Sequence, residues 1–150
     1  ASSSIAGKVP LEPALRATIA ARRLDSHVRL AGYVTDEALP LWYRAADVTV
    51  VPTLSLEGFG LTTIESLAAG TPVLVTPVGG LPEAVAPLSP ELVLPSIGYQ
   101  AIAAGISDAL RGRRVLPDER ACRDYARTRF DNAVVAAQVA RVYREALGEP

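Results

Sequence analysis

The chain has 150 residues, of which 49% are hydrophobic, and a formal net charge of −1 at pH 7. This composition predicts one folded domain with a real core and excludes a disordered segment. The near-zero charge excludes a strongly basic nucleic-acid binder, so no nucleic-acid partner is expected. No apolar run is long enough to cross a bilayer, and the single cysteine fits the cytoplasmic location that is expected. Cys122 is the only cysteine, and its helical setting predicts a buried thiol with no internal disulfide.

Apolar runs and helical spacings alternate along the chain, which predicts an α/β fold. Residues 1–4 are interpreted as a tag or a disordered end, and residues 5–150 as one partial domain. The continuous apolar run at 73–75 is typical of a strand in a parallel sheet that is covered on both faces. Leu41 and Trp42 are expected on a buried helix face. The predicted strands are 28–31, 48–52, 73–75 and 92–94, with a strand end and turn at 5–10, and the predicted helices are 13–24, 61–69, 97–110, 117–129 and 133–146.

The most informative stretch runs from Glu57 to Glu65 and joins a predicted strand to a predicted helix through a loop that contains Gly58 and Gly60. Such a corner presents unpaired backbone amides and the positive end of the helix dipole above the strand. Glycine removes the side chains that would keep a bulky anion away from the backbone. The corner is therefore a candidate phosphate site.

Two glutamates flank this candidate site. Ionised carboxylates accept hydrogen bonds and donate none, so Glu57 and Glu65 suit the paired hydroxyls of sugars. A phosphate held between two sugar-like groups describes a nucleotide sugar. The alternative is a surface loop with two solvated acids near the start of a helix. The spacing alone does not decide, because Glu83 and Glu91 repeat it without Gly-x-Gly between them.

The segment 57–73 reads Glu-Gly-Phe-Gly-Leu-Thr-Thr-Ile-Glu-Ser-Leu-Ala-Ala-Gly-Thr-Pro-Val. It resembles the signature of retaining glycosyltransferases of the GT-B fold, family 4 type (glycosyl transferases group 1). Further segments resemble the same family in the same order, at 29–34 near the nucleobase, at 41–47 before the signature strand and at 78–83 in the next turn. The resemblance covers most of the chain and implies the carboxy-terminal, donor-binding domain. It also implies a Rossmann-like parallel sheet flanked by helices.

The resemblance implies a role for each candidate residue. Glu57 is the catalytic candidate, which would hold hydroxyls of the transferred sugar so that binding energy favours the transition state. Glu65 would accept hydrogen bonds from the ribose hydroxyls. The implied substrate is a nucleotide sugar, with no cofactor and no metal ion. The remaining donor-binding candidates are Gly58, Phe59, Gly60, Leu61 and Thr62 at the phosphates, Gly79 and Gly80 on the opposite wall, and Tyr33 and Val34 near the base.

Parts of the family pattern are absent from these residues. No Lys or Arg occurs between Arg44 and Arg111, although cations usually stabilise the charge of a departing diphosphate. In the family, a Gly-Arg-Leu…Lys-Gly segment on the first strand and loop supplies them, and that strand, its helix and the amino-terminal acceptor domain are missing here. Val9 also replaces a glycine of the family's first turn. We therefore expect a fragment that is inactive alone, with exposed strand edges that favour either a homo-oligomer or a rearranged strand order.

Two other functions stay open. A nucleotide-sugar epimerase shares the architecture but does not usually carry the Glu-Gly-Phe-Gly signature. A non-catalytic nucleotide-sugar binding or regulatory module is compatible with the missing first strand, since a fold alone does not fix function. Tyr33 and Val34 are equally compatible with an ordinary strand-to-helix turn. The full-length protein could also be peripheral at the membrane, as is common in the family through the acceptor domain.

Overall fold

The computed structural model describes residues 1–7 and 10–148 of the chain, and the predicted departure at Val9 lies outside them. Strands and helices alternate along these residues, as the hydrophobic pattern predicts. They divide into two compact units, Ala1–Leu39 and Pro40–Pro150. Both units contain parallel strands and flanking helices, which confirms the predicted α/β class.

The amino-terminal unit consists of two parallel, paired strands and the helix that connects them. Ser3 pairs with Val28 and Ser4 with Arg29 in this strand pair. The first strand includes Ser3 and Ser4, so these two residues are ordered, whereas the interpretation of residues 1–4 as a tag stays a prediction. The elements of this unit are β1 (Ser3–Ala6), α1 (Glu12–Ala21) and β2 (Val28–Gly32).

The remaining elements lie in the second unit, apart from Leu39, the first residue of the first of them. They are α2 (Leu39–Arg44), β3 (Thr49–Val51), α3 (Leu61–Ala69), β4 (Val73–Val75), α4 (Leu81–Val85), a 3₁₀ turn (Pro90–Leu92), α5 (Tyr99–Leu110), α6 (Glu119–Phe130) and α7 (Asn132–Leu147). β3 and β4 pair in parallel, and Val75 makes a single parallel bridge to Val93. The prediction of a strand at 92–94 is wrong, because Leu92 ends the 3₁₀ turn that begins at Pro90 and Val93 makes only a single bridge.

The core of the second unit lies around β4. All three β4 residues are fully buried, as the continuous apolar run predicts. Leu67 of α3, Leu81 and Val85 of α4 and Cys122 of α6 belong to the same hydrophobic cluster. The prediction of a buried Cys122 is confirmed, and burial raises the pKa of its thiol to about 11. This shared core fixes the start of α3 and the start of α4 beside each other.

Helix α2 differs from the prediction. Leu41 is 67% exposed and Trp42 is half-buried, so the predicted buried face exists only in part. A helix of six residues makes less than two turns and can bury only a narrow face. The end of α2 is held instead through Tyr43, whose carbonyl accepts a hydrogen bond from Thr71 Oγ1 at 2.7 Å.

Candidate functional site

The predicted strand–loop–helix corner is present in the second unit. β3 ends at Val51 and α3 begins at Leu61, with Gly60 as the N-cap residue at φ 72° and ψ 63°. A Cβ on Gly60 would lie 2.3 Å from Leu81 Cδ2, so both the backbone conformation and the packing favour glycine. Leu61 and Thr62 are exposed. The first turn of α3 is therefore accessible to solvent at Leu61 and Thr62, while Gly60 is buried, and it carries the positive end of the helix dipole.

The loop of the corner lies directly against the turn at Gly79 and Gly80. A Cβ on Gly79, where φ is 54°, would lie 1.8 Å from Glu57 O, and a Cβ on Gly80 would lie 2.2 Å from Gly58 O. The amide of Gly80 donates a hydrogen bond to Gly58 O at 3.1 Å. The two glycine turns thus meet backbone to backbone, and the structure brings the candidate residues of both turns together.

Glu57 lies in the loop and is half-buried. Its carboxylate accepts a hydrogen bond from Thr53 Oγ1 at 3.3 Å. Thr53 O in turn accepts from Thr76 Oγ1 at 2.6 Å, which ties the residues after β3 to the residue after β4. Thr76 is fully buried. The position of the Glu57 carboxylate is therefore set by a donor that is itself fixed to the strand ends.

Glu65 lies in the second turn of α3 and is exposed. Tyr43, at the end of α2, donates its hydroxyl proton to Glu65 Oε2 at 3.0 Å. Burial raises the pKa of Tyr43 above its usual value, and the hydrogen bond to Glu65 raises this pKa further. The Tyr43 hydroxyl consequently stays protonated and donates at neutral and moderately alkaline pH.

Phe59 attaches the loop to the helices through its ring. The ring lies edge-to-face with Phe130 at a centroid distance of 5.5 Å, and Phe130 makes the same kind of contact with Tyr125 at 5.7 Å. The Tyr125 hydroxyl donates to Ala84 O at 2.9 Å. The loop is thereby connected to α6 and α4, while 44% of Phe59 remains exposed.

One buried oxygen near the corner has no hydrogen-bond partner among the residues that the structure describes. Thr63 Oγ1, in the first turn of α3, is fully buried and lies 3.2 Å from the position of a Cβ on Gly60. A buried polar group without a partner costs about 1–3 kcal/mol. The start of α3 therefore carries an uncompensated polar atom that the surrounding core must tolerate.

The two remaining site candidates lie in the amino-terminal unit. Tyr33 and Val34 follow β2 directly, and Tyr33 is 63% exposed whereas Val34 is half-buried. The amide of Gly7 donates to Gly32 O at 2.8 Å, which joins the turns after β1 and β2. Both candidates thus lie at the carboxyl end of a parallel strand pair, where ligands collect in α/β proteins.

Three residues that support the site are not predicted by sequence reasoning: Tyr43, Thr53 and Phe130. Tyr43 falls in the segment 41–47 that resembles the family, and this is one signal that points to it. Thr53 and Phe130 carry no local signal. The contact of Phe130 with Phe59, for example, joins a loop to a helix much later in the chain.

Residues 1–7 and 10–148 also show which other kinds of site are present or absent outside the corner. They contain no group of three or more His, Cys, Asp or Glu side chains that could hold a metal ion. No helix among them is long and apolar enough to cross a bilayer. An open cavity with a volume of about 770 Å³ lies between β1, α1 and β2 of the amino-terminal unit. A second, of about 390 Å³, lies between α3 and α6 over Ile64, Ala68 and Phe130.

Comparison with known proteins identifies the family. The family model for glycosyl transferases group 1 matches residues 2–129. The chain belongs to this family. This glycosyl transferases group 1 chain is 38% identical over 136 residues to D-inositol 3-phosphate glycosyltransferase from Thermobispora bispora. The match covers 90% of the chain and 32% of that relative, so the chain spans about a third of the relative's length.

Solved structures confirm the GT-B fold. Sucrose-phosphate synthase from Thermosynechococcus elongatus is 28% identical with a TM-score of 0.75, and the match covers 97% of this chain and 38% of that one. HepE from Anabaena, solved in complex with UDP-glucose, is 19% identical with a TM-score of 0.78, covering 96% of this chain and 41% of that one. The predicted arrangement of parallel strands flanked by helices is therefore shared with solved glycosyltransferases.

Proposed function

We propose that the chain is the donor-binding part of a retaining glycosyltransferase of family 4 type, which transfers a sugar from a nucleotide-sugar donor to an acceptor. The observation that carries this proposal is the corner at α3, where two glycine turns meet backbone to backbone beside Glu57. Membership of the glycosyl transferases group 1 family supports transferase chemistry. The complex of HepE with UDP-glucose supports a nucleotide sugar as the donor.

The diphosphate would lie at the amide end of α3. Backbone amides at a helix start bind phosphate because they point at the ligand and carry the positive end of the dipole. The exposure of Leu61 and Thr62 leaves this end accessible. The groups proposed to face the phosphates are the amides of Phe59, Gly60 and Leu61, the Thr62 hydroxyl, and the backbone at Gly58, Gly79 and Gly80.

Glu57 would hold hydroxyls of the transferred sugar. The hydrogen bond from Thr53 uses one acceptor site of the carboxylate and leaves others for the sugar. If these contacts strengthen as the bond from sugar to phosphate breaks, they lower the barrier without a covalent bond to Glu57. The catalytic role proposed for Glu57 is therefore to hold the reacting sugar.

Glu65 would accept hydrogen bonds from the ribose hydroxyls. It lies on the same face of α3 as Leu61, four residues later, which places it about 6 Å along the helix from the proposed phosphate amides. This spacing suits the phosphate and the ribose of one nucleotide. Tyr33 and Val34 would line the nucleobase site, as the exposed position of Tyr33 after β2 allows.

The proposal extends to parts outside these residues. Retention at the anomeric carbon and independence of metal ions belong to it, as does a separate acceptor domain, which the greater length of the relative supports. With no Lys or Arg between Arg44 and Arg111, we expect negligible transfer by this chain alone.

All four β1 residues are exposed, so pairing of β1 with a second copy is also proposed, and light scattering would detect the resulting oligomer.

Calorimetric titration of the chain with UDP, GDP and ADP tests the donor site. We expect at least one of them to bind. Glu65→Ala should weaken this binding by about tenfold, because hydrogen bonds to a charged group are worth about 1.5–3 kcal/mol. Glu145→Ala, on the exposed surface of α7, is the matched control and should bind like the wild type. No binding of any nucleotide, or equal affinity in the two variants, would contradict the assignment.

A further inference from the structure

The Tyr43 hydroxyl gives the ribose site a component beyond the residues assigned above. We propose that Tyr43 is a positioning residue that holds the Glu65 carboxylate so that two neighbouring ribose hydroxyls of a nucleoside diphosphate are recognised together. This inference rests on the proposed ribose role of Glu65. It adds the means by which that carboxylate is oriented before the ligand arrives.

Glu65 needs such a partner because it stands exposed on α3. A free Glu side chain samples several rotamers, and fixing it on binding costs up to about 2 kcal/mol. The Tyr43 hydroxyl lies 3.0 Å from Glu65 Oε2 and restricts the carboxylate in the unliganded chain. A group that is already in place binds more tightly, because less freedom is lost when the ligand arrives.

Tyr43 is itself fixed by a buried polar network. Its carbonyl accepts from Thr71 Oγ1 at 2.7 Å, and Thr71 is only 4% exposed. Ser66 Oγ donates to Thr71 O at 3.0 Å and lies 2.8 Å from Thr49 Oγ1. Because Ser66 directly follows Glu65 and is fully buried, the network ties both members of the Tyr43–Glu65 pair to one rigid frame.

The hydrogen bond leaves Glu65 free to bind ribose. An ionised carboxylate offers about four acceptor sites, and Tyr43 uses one of them. The remaining sites are sufficient for the 2′ and 3′ hydroxyls. A neutral donor also leaves the charge of the carboxylate intact, whereas an arginine would occupy both oxygens. The raised pKa of Tyr43 keeps this donor protonated at neutral and moderately alkaline pH.

A contact that only joined α2 to α3 would behave differently. Removal of the Tyr43 hydroxyl would then weaken all nucleotides alike, or none of them. A positioning role predicts a loss confined to ligands that carry ribose hydroxyls. The comparison of ribose with deoxyribose ligands therefore separates the two roles.

The test measures affinities of the 150-residue chain by calorimetry. The probes are whichever of UDP, GDP and ADP binds most tightly, together with its 2′-deoxy and 2′,3′-dideoxy forms. Tyr43→Phe should lose about fivefold in affinity for the ribonucleotide, because the freedom that Glu65 gains must be given up on binding, and less than about twofold for the dideoxy form. Glu65→Ala should abolish the preference for ribose, and Tyr43→Phe should add nothing in that background.

Tyr143→Phe on α7 is the matched control, because it removes the same hydroxyl from a residue that is 67% exposed. The ratio of ribose to dideoxy affinity is internal to each variant, so a modest loss of stability does not change it. If this ratio depends on Glu65 but is unchanged in Tyr43→Phe, the positioning role is overturned while the ribose role stands. If the wild-type ratio is near one, or no nucleotide binds, the proposed function fails and takes this inference with it.

Discussion

Replacement of Gly79 by alanine should displace the loop that carries Glu57 and destabilise the second unit. A Cβ at this position would lie 1.8 Å from Glu57 O and 2.9 Å from Glu57 C. Carbon and carbonyl oxygen normally approach no closer than about 3.3 Å, so the two backbones must separate by about 1.5 Å. Both Glu57 atoms that the Cβ would contact belong to the main chain, so no side-chain rotation can relieve the contact.

Three terms set the size of the effect. Overpacking of a well-filled site costs about 1–3 kcal/mol. A non-glycine residue at the left-handed φ of 54° adds backbone strain of about 1–2 kcal/mol. The reduced freedom of the unfolded chain with alanine offsets about 0.4–1 kcal/mol. The free energy of unfolding of Gly79→Ala should therefore fall by about 2–4 kcal/mol.

Urea denaturation followed by circular dichroism measures this loss. Gly112→Ala is the matched control, because Gly112 has a similar φ of 66° and no heavy atom within 4 Å of a Cβ. It should lose only the strain, about 1 kcal/mol or less. Gly80→Ala and Gly58→Ala form a second pair without a left-handed φ, in which only the Gly80 position is blocked, by Gly58 O at 2.2 Å.

Two results would refute this reasoning. If Gly79→Ala loses no more stability than Gly112→Ala, the contact with the loop is too loose to constrain it. If Gly80→Ala and Gly58→Ala unfold at the same urea concentration, the backbone approach of the two turns is not tight in solution. A confirmed contact should also be accompanied by weaker nucleotide binding in Gly79→Ala, because the amides of Phe59 and Gly60, which are proposed to face the phosphates, move with the loop.

Two further predictions concern the surrounding core. Burial raises the pKa of the Cys122 thiol from 9.0 to about 11, so its contribution to stability is complete below about pH 9 and is lost as the pH rises through about 11. As the pH rises from about 9 to about 11, the urea concentration at the unfolding midpoint should therefore decrease more in the wild type than in Cys122→Ala. Equal decreases in the two proteins would contradict the predicted contribution of the Cys122 thiol. Tyr125→Phe removes the hydrogen bond to Ala84 O and should lose about 1 kcal/mol of stability. Tyr99→Phe, at a residue that is 77% exposed, should lose nothing in the same denaturation experiment, and equal midpoints for the two variants would count against the bond.

Local signals decide which elements the sequence predicts correctly. The predictions of a helix at 61–69 and a strand at 73–75 match α3 and β4, because glycines bound the helix and the strand is a continuous apolar run. The prediction of a strand at 92–94 fails because Pro90 starts a 3₁₀ turn that takes up Leu92. Where a second local preference competes with the hydrophobic pattern, the pattern alone is insufficient.

The residues of the candidate site also differ in whether the sequence predicts them. The two glycine turns are visible in the sequence, but their contact depends on how α3 and α4 share the core. The hydrogen bond between Tyr43 and Glu65 joins residues 22 positions apart, and no local pattern specifies it. Residues that bind through the backbone are therefore predictable from turn chemistry, whereas the partners that orient the acids emerge only from the tertiary structure.

The partners of the two site glutamates explain why the segment between Arg44 and Arg111 can lack cations. Thr53 donates to Glu57 and Tyr43 donates to Glu65, and the ion pairs among the described residues all lie elsewhere. An arginine beside either carboxylate would occupy both oxygens and compete with sugar hydroxyls. The segment at 45–110 itself supplies no Lys or Arg to the proposed diphosphate site. The charge that develops on the proposed leaving group must therefore be balanced by residues outside it.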